Sequence, residues 1–522
     1  MQQSYADRTN EAFRVSRDPI TYEVDVSSEI TLEDYKPLIP ASDWEFLEKW
    51  AAPLKGKSIV FVNPTMAGGG VAMLRPPLVH MMRLFGIEAH WFVMQGKFRP
   101  KDYDPFLVTK LMHNIAQRRV DDRLSEKGKK IHQKWCRKNA EVLTQQPEIQ
   151  NADIIMLDDP QPAPLKKYFE AVNPDVKFVW RNHIDTSHTL MAEPGTPQAE
   201  IAEYVMDECG IRDVEAVVAH PVIEFMHPGM ESKTFFAPAT IEPFDDLNRE
   251  LMPDEIQEGI NFINMSIDEL NASSIMVDSE DVMPYIDERK QRLCLIARFD
   301  ESKGMGNALE LGARTRKQLR SQGVAEDALP QIIVVGNGSI DDPSGVPIFE
   351  ALLKLRREKY ADEKDGMVVM RLPHNYVAMN ALMYSIPISE NVVGGPSIIG
   401  MQMSFAEGME TRITDWISHG VPVIISNCGG MFLQVKEGKS GIVLDYNKDD
   451  YDLTRGVAFA AKLFSEPNMY SDYTASTLQT SKNYNEREFT TTANATRLFR
   501  VFAKVFQDAP ADTKWKLTED FE

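Results

Sequence analysis

Arg298 and Lys303 follow the apolar run Leu293 to Ala297 in the string Ala297-Arg298-Phe299-Asp300-Glu301-Ser302-Lys303-Gly304. They leave the C-terminal end of an expected strand together, where open α/β sheets bind ligands. Two fixed cations in a low-dielectric site stabilise the negative charge that builds on a departing nucleoside diphosphate. Far upstream, the strand-like run Ile59 to Asn63 leads into Gly68, Gly69 and Gly70, whose backbone N–H groups can approach an anion at the start of a helix. Diphosphate is the natural occupant of such a loop, although many βα turns use glycine only for a tight corner.

Other groups have the types to bind a polyhydroxylated ligand. Glu407 and Asp415 are eight positions apart, with Thr411 to Ile417 expected to be helical, which would set the acids about two turns apart on a similar face. His183 and Asp185 follow the strand-like Lys177 to Trp180, and a neutral imidazole at 183 can donate to a sugar hydroxyl. Lys110, His113 and Asn114 fall at helical spacing on one face, where polar groups can fix hydroxyls. Each set also has a plainer reading, as solvated charges, a helical acid pair, a core histidine or a solvated helix face. Asp158 and Asp159 end a further strand, and adjacent carboxylates on an extended chain point to opposite faces, which is poor geometry for paired acid–base work. Two acids without a third oxygen ligand do not define a divalent site either, so no metal is expected.

Two series of short apolar, β-branched runs alternate with helical patterns and would position these residues. The first comprises Ile59 to Asn63, Ala89 to Met94, Asp153 to Leu157, Lys177 to Trp180 and Ala216 to Ala219. The second comprises Leu293 to Ala297, Gln331 to Val335, Met367 to Met370, Val421 to Ser426 and Gly441 to Leu444, with helices such as Ile348 to Lys359 between them. Continuous rather than alternating apolarity marks strands covered on both faces, hence parallel sheets. The expected organisation is residues 1–243 as a Rossmann-like first domain with about 55 residues of leading arm, 244–288 as a linker, 289–484 as a second Rossmann-like domain, and 485–522 as a C-terminal helix. Pro76 and Pro77 fall inside the first helical pattern and predict a late start or a kink.

The order of these pieces resembles the GT-B glycosyltransferases of retaining family 4, and within them the nucleotide-sugar-dependent trehalose synthase branch. The strings that carry the resemblance are Asn63-Pro64-Thr65 with Gly68 to Val71, Thr109-Lys110 with His113-Asn114, Asp158-Asp159-Pro160-Gln161-Pro162-Ala163-Pro164, Trp180-Arg181-Asn182-His183-Ile184-Asp185, and Asp341-Asp342-Pro343. The resemblance implies two Rossmann-like doubly wound domains facing across a cleft that closes on the donor, with the final helix crossing back to the first domain. It implies a retaining transfer of glucose from a nucleoside-diphosphate-glucose to a small sugar or polyol, forming trehalose or a similar α-glucoside by front-face substitution. Arg298, Lys303, His183 and Glu407 would carry the chemistry. Gly68, Gly69, Gly70, Gly408, Met409, Glu410 and Asp415 would bind the donor, with Glu407 on sugar hydroxyls and Asp415 on the ribose. Lys110, His113, Asn114 and Asp185 would meet the acceptor. The family pattern has Gly-Phe-Gly after the first acid and Glu as the second, where this chain has Gly408-Met409-Glu410 and Asp415. Two alternatives stay open: a trehalose-type phosphorylase, in which inorganic phosphate replaces the nucleotide and the acid pair binds something else, and, suggested by Glu410, a catalytically silent nucleotide-sugar-binding protein.

Composition narrows the partners. At 522 residues with 43% hydrophobic and 9% aromatic content, the chain is that of a globular protein of two large domains. A net charge of -21 disfavours nucleic acid and anionic membranes, since phosphate contact needs a basic surface. Such an acidic balance also suits a salty cytoplasm, as it does ordinary solubility. The four cysteines, Cys136, Cys209, Cys294 and Cys428, lack metal-binding or disulfide spacing and read as buried thiols. With no apolar run long enough to span a bilayer and no cationic-then-apolar leader, cytoplasmic residence is expected. The expected partners are small molecules, with no metal or other cofactor, and a homodimer is compatible with this reading.

Overall fold

A computed structural model of the chain describes residues 12–511 except 67–69, 97–103, 277–280, 338–344, 374, 385–395 and 446–451, together with 514, 516 and 517. Gly68, Gly69 and the Asp341-Asp342-Pro343 string therefore lie outside the described residues. The chain divides into two units, one of Ala12–Glu242 with Arg487–Glu522, the other of Pro243–Glu486.

The N-terminal unit begins with an antiparallel pair, β1 (Arg14–Arg17) and β2 (Val24–Ser27), and continues with β3 (Ser58–Asn63), β4 (Glu88–Val93), β5 (Ile154–Asp158), β6 (Lys177–Asn182), β7 (Ala216–Ala219) and β8 (Thr234–Phe236). The last six form one parallel sheet in the order β4-β3-β5-β6-β7-β8. Its central strands are buried almost end to end, which is why their sequences are apolar without alternation. The order reverses between β3 and β5, so ligands are expected where the chain leaves those two strands.

The other unit repeats the plan with β9 (Arg292–Ile296), β10 (Gln331–Asn337), β11 (Met367–Leu372), β12 (Ile398–Gln402), β13 (Val423–Ser426) and β14 (Gly441–Leu444). These form a parallel sheet in the order β11-β10-β9-β12-β13-β14, the 3-2-1-4-5-6 order of dinucleotide-binding folds, with its switch point between β9 and β12. Both units thus have the doubly wound α/β architecture expected.

Four expectations change. The leading residues are not an arm from residue 12 on: β2 lies along the sheet, and the helix Ala41–Ala51 packs on the C-terminal helix Thr491–Phe506. Residues 244–288 are not a free linker, because the amphipathic helix Pro253–Asn271 buries Ile256, Ile260, Ile263 and Ile267 within its unit. The helix Gly70–Leu84 runs through Pro76 and Pro77 from the glycine run onward rather than starting late. Cys428 is only half-buried, while Cys136, Cys209 and Cys294 are buried thiols.

The C-terminal helix is fixed in the N-terminal unit by aromatic pairs, Phe499 on Phe85 at 5.7 Å and Phe502 on Phe61 at 6.2 Å between centroids. Arg497 and Glu488 form an ion pair with both side chains buried. Among the described residues, no helix is long and apolar enough to cross a membrane.

Candidate active site

In the C-terminal unit the chain leaves β9 through Ala297 and enters a short 3-10 turn, Glu301–Lys303, capped by Asp300, whose Oδ1 accepts from Ser302 N at 2.9 Å. Gly304 ends the turn at φ +61°, and a Cβ there would lie 1.9 Å from the carbonyl oxygen of Met403. That close approach joins the β9 loop to the segment leaving β12, as does Phe405 N donating to Ser302 O at 2.8 Å. The two strands on either side of the switch point thereby bring Lys303, Glu407 and Glu410 together.

Lys303 Nζ forms ion pairs with Glu407 and, at 2.6 Å, with Glu410. Burial alone would lower the lysine pKa, but the two carboxylates raise it, so Lys303 is a cation throughout the physiological range. Burial likewise opposes ionisation of Glu410, and Lys303 reverses this to hold that carboxyl below its ordinary range. Arg298 is half-buried, and among the described residues its side chain makes no ion pair. The Glu407 loop is pinned from behind: Gly430 N donates to Gly408 O at 2.8 Å, and Gly429, at φ +54°, has no room for a Cβ, which would sit 2.0 Å from Glu407 O. Met409 and Gly408 are buried.

Glu407 precedes the helix Arg412–Ser418 rather than lying on it, so the two acids do not share a helix face as expected. Asp415 is on that helix with 1% of its surface exposed, and its Oδ2 pairs with Arg412 Nη1 at 2.6 Å. Burial, aided by the Glu410 charge and opposed by Arg412, pushes its pKa up to about 7. The carboxyl assigned to a ribose is thus enclosed beside Arg412, and neither of its oxygens has a hydrogen-bond partner among the described residues.

In the N-terminal unit, β5 and β6 deliver Asp158, Asp159 and His183. Asp159 has φ +65°, so the chain turns out of its extended path and the two adjacent carboxylates converge on one residue. Asp158 Oδ1 lies 3.0 Å from His183 Nε2, and Asp159 Oδ1 accepts from His183 N at 2.8 Å. The expectation that these acids point apart therefore fails, because it presumed a straight strand. His183 Nε2 is also committed to Asp158 and is not the free donor expected.

Lys110, His113 and Asn114 lie on the helix Pro105–Ala116, begun by Asp104 accepting from Phe106 N at 3.1 Å. Burial lowers the His113 pKa, with Asp159 pulling the other way, and neither His113 Nε2 nor Gln161 Oε1 has a hydrogen-bond partner among the described residues. His113 therefore lies beside the loop after β5. Asp185 accepts from Ser187 N at 2.8 Å and shapes the turn, and burial raises its pKa. Gly70 opens its helix, while Gly68 and Gly69 fall outside the described residues. Sequence reasoning assigned no role to Arg75, Gln161 or Arg412. Gln161 could have been found, since it stands in the Asp-Pro-Gln-Pro string, but nothing in the sequence marks Arg75 as buried. Among the described residues, the cluster Glu23, His90 and Glu148 could hold a metal ion, and it contains none of these residues.

Residues 61–226 match the family described as trehalose synthase, N-terminal domain. A trehalose phosphorylase of Pleurotus pulmonarius is 28% identical over 449 residues, 83% of this chain and 57% of the relative. A trehalose synthase of Pyrococcus horikoshii is 29% identical over 419 residues, 80% of this chain and 85% of the relative. The chain thus spans little more than half the length of the phosphorylases it matches. Among solved structures, trehalose-6-phosphate synthase OtsA superposes with a TM-score of 0.59 at 12% identity, covering 87% of this chain and 100% of that one. Sucrose-phosphate synthase from Thermosynechococcus elongatus does so with a TM-score of 0.55 at 11% identity, covering 87% and 100%. These likenesses bear out the GT-B fold and the resemblance to glycosyltransferases of trehalose metabolism read from the motifs.

Proposed function

Proceeding from a chain similar to the trehalose synthases and trehalose phosphorylases, we propose that this protein is a retaining glycosyltransferase that moves an α-glucosyl group between trehalose, or a similar α-glucoside, and inorganic phosphate bound at Arg298 and Lys303. The observation that carries the choice of phosphate is Glu410. Where the resembled branch has a glycine, this carboxylate stands 2.6 Å from Lys303 Nζ. A fixed negative charge there repels the second phosphoryl group of a nucleoside diphosphate. A single phosphate has no second phosphoryl group to place beside that charge.

In the forward step a phosphate oxygen bonds to the anomeric carbon on the face from which the glucose oxygen departs. The phosphate's proton passes to that oxygen, giving α-glucose 1-phosphate and free glucose. Arg298 and Lys303 neutralise the phosphate and stabilise the charge developing between it and the sugar, which removes the need for a metal ion or a protein nucleophile. Glu407 holds Lys303, and His183 meets the transferred sugar. His113 and Gln161 are suited to hold the second sugar, since a pocket for hydroxyls needs few, well-placed polar groups.

A second reading, transfer from a nucleoside-diphosphate-glucose to a small sugar or polyol, is favoured by one observation. The solved structures of this fold include one described as trehalose-6-phosphate from E. coli bound with UDP-2-fluoro glucose, at a TM-score of 0.57. It requires Glu410 to leave Lys303 when the donor binds.

A donor-by-acceptor screen separates the two, with anomeric assignment by NMR and every arm run in excess chelator. Trehalose with phosphate, and α-glucose 1-phosphate with glucose, are expected to turn over. Turnover only with nucleotide sugars establishes the second reading. Nucleotide-sugar binding without turnover against any sugar, glycerol or glycerate identifies a binding protein, and strict dependence on added magnesium or manganese overturns the metal-free step.

A further inference from the structure

A buried polar chain in the N-terminal unit links the helix after the glycine run to His183. Arg75, one position before Pro76 in the helix Gly70–Leu84, donates from Nη2 to Asp158 Oδ2 at 2.5 Å, and its guanidinium lies 4.0 Å from the centroid of the Phe61 ring. Asp158 uses its other oxygen, Oδ1, on His183 Nε2 at 3.0 Å. Arg75 is 1% exposed and Asp158 fully buried, so water does not compete for either bond. Burial alone would raise the Asp158 pKa, but Arg75 and His183 bring it below the ordinary range, so the group is a carboxylate at neutral pH. A carboxylate only accepts hydrogen bonds, so the ring nitrogen facing it carries the hydrogen. A neutral imidazole has one N–H, which leaves Nδ1 with a bare lone pair. The rest of the histidine is equally fixed. Its backbone N–H is held by Asp159 at 2.8 Å, and His220 packs edge-on against the ring at 5.8 Å between centroids.

We propose that Asp158 is a positioning residue that holds the His183 ring with its hydrogen on Nε2, so that the ring meets a sugar through Nδ1 as the acceptor of a hydroxyl hydrogen. The sugar-facing half of this inference rests on the function proposed above, and the tautomer half does not. Arg75 serves the same end at one remove, by keeping Asp158 ionised. The consequence for specificity is that His183 selects a hydroxyl able to donate, at whichever ring carbon it faces, and gives no hydrogen bond to a position where that hydroxyl is replaced by fluorine.

The test is nitrogen NMR of the full-length protein carrying 15N-labelled histidine, with the His183→Gln spectrum identifying the His183 signals by difference. The ring-nitrogen shifts of the wild type should be those of a protonated Nε2 and an unprotonated Nδ1, and trehalose should move the Nδ1 signal. In Asp158→Ala the two signals should move toward averaged values, with kcat falling at least tenfold and KM changing less. A merely structural Asp158 would change stability and leave the tautomer of a folded variant as it was. An Nδ1–H tautomer in the wild type overturns the proposal, as does an unaltered tautomer in folded Asp158→Ala. If Asp158→Ala does not fold, the wild-type spectrum decides alone. A wild-type Nε2–H ring whose signals ignore trehalose overturns the sugar-facing half while leaving the positioning half standing.

Discussion

The chemistry assigned to individual residues turns on how their charges are shared. Arg298 and Lys303 have different surroundings, and their variants should differ accordingly. Arg298→Ala is expected to lower kcat by roughly 100-fold or more, the scale for losing one stabiliser of transition-state charge, while circular dichroism and melting stay near wild type. Lys303→Ala should lose a similar factor and also melt earlier, because Glu407 and Glu410 are left facing each other without their cation. Near-normal turnover in a folded variant of either would sink the oxyanion assignment. Glu410→Gly should bring measurable binding of a nucleoside diphosphate by calorimetry, since it removes the carboxylate from Lys303 and restores the room that a diphosphate needs. Asp415 makes a stability prediction with a definite sign. Its folded pKa, about 7, lies above the ordinary carboxyl value of about 4, so the folded chain keeps a proton that the unfolded chain has lost. This contribution is complete below about pH 4 and is lost as pH rises toward 7. The melting temperature of the wild type minus that of Asp415→Asn should therefore fall across that interval, and a flat difference would contradict the buried placement of the group. The residue types at the site were legible in the sequence, but their partners were not. Glu410 was noticed only as a departure from Gly, and its pairing with Lys303 follows from two loops that are about a hundred positions apart in the chain and adjacent only in the sheet.

The elements that deliver these residues were legible where apolar, β-branched runs are unbroken, as in Ile59 to Asn63 and Leu293 to Ala297. β12 was missed, and with it the neighbour relation that places Glu407 beside Lys303. Its sequence, Ile398-Ile399-Gly400-Met401-Gln402, is wholly buried yet does not read as a core strand. A glycine interrupts it, and it ends in an amide whose Nε2 is satisfied by Ile296 O at 3.0 Å across the sheet. The Asp158–Asp159 pair was misread for the complementary reason: the period-two rule holds only while the chain stays extended, and Asp159 leaves that region. The C-terminal helix Thr491–Phe506 was legible as an amphipathic helix, whereas the buried pair at its base was not. Glu488 accepts from Leu517 N at 3.0 Å as well as pairing with Arg497, so Glu488→Ala leaves a buried guanidinium without its charge partner. A loss of roughly 3–5 kcal/mol in urea unfolding is expected, the range for breaking a buried ion pair from one side. A loss under about 1 kcal/mol, the range of an exposed pair, would mean that the site is open to water.

At the scale of the whole chain, two doubly wound units with switch points at β3/β5 and β9/β12 each carry one set of the residues that the proposed reaction needs. Sequence likeness leaves the second substrate open, since proteins named as synthases and as phosphorylases match this chain at similar identity. The proposed use of phosphate rests on Glu410, and it has a direct readout. Purified protein is incubated with trehalose and inorganic phosphate, with no nucleotide present, and followed by phosphorus and proton NMR. The account predicts a sugar phosphate whose anomeric proton has the small coupling of the α configuration, appearing in equal amount with free glucose and proportional to enzyme. Absence of any sugar phosphate, from protein that forms trehalose from a nucleoside-diphosphate-glucose and glucose in a parallel tube, would contradict it.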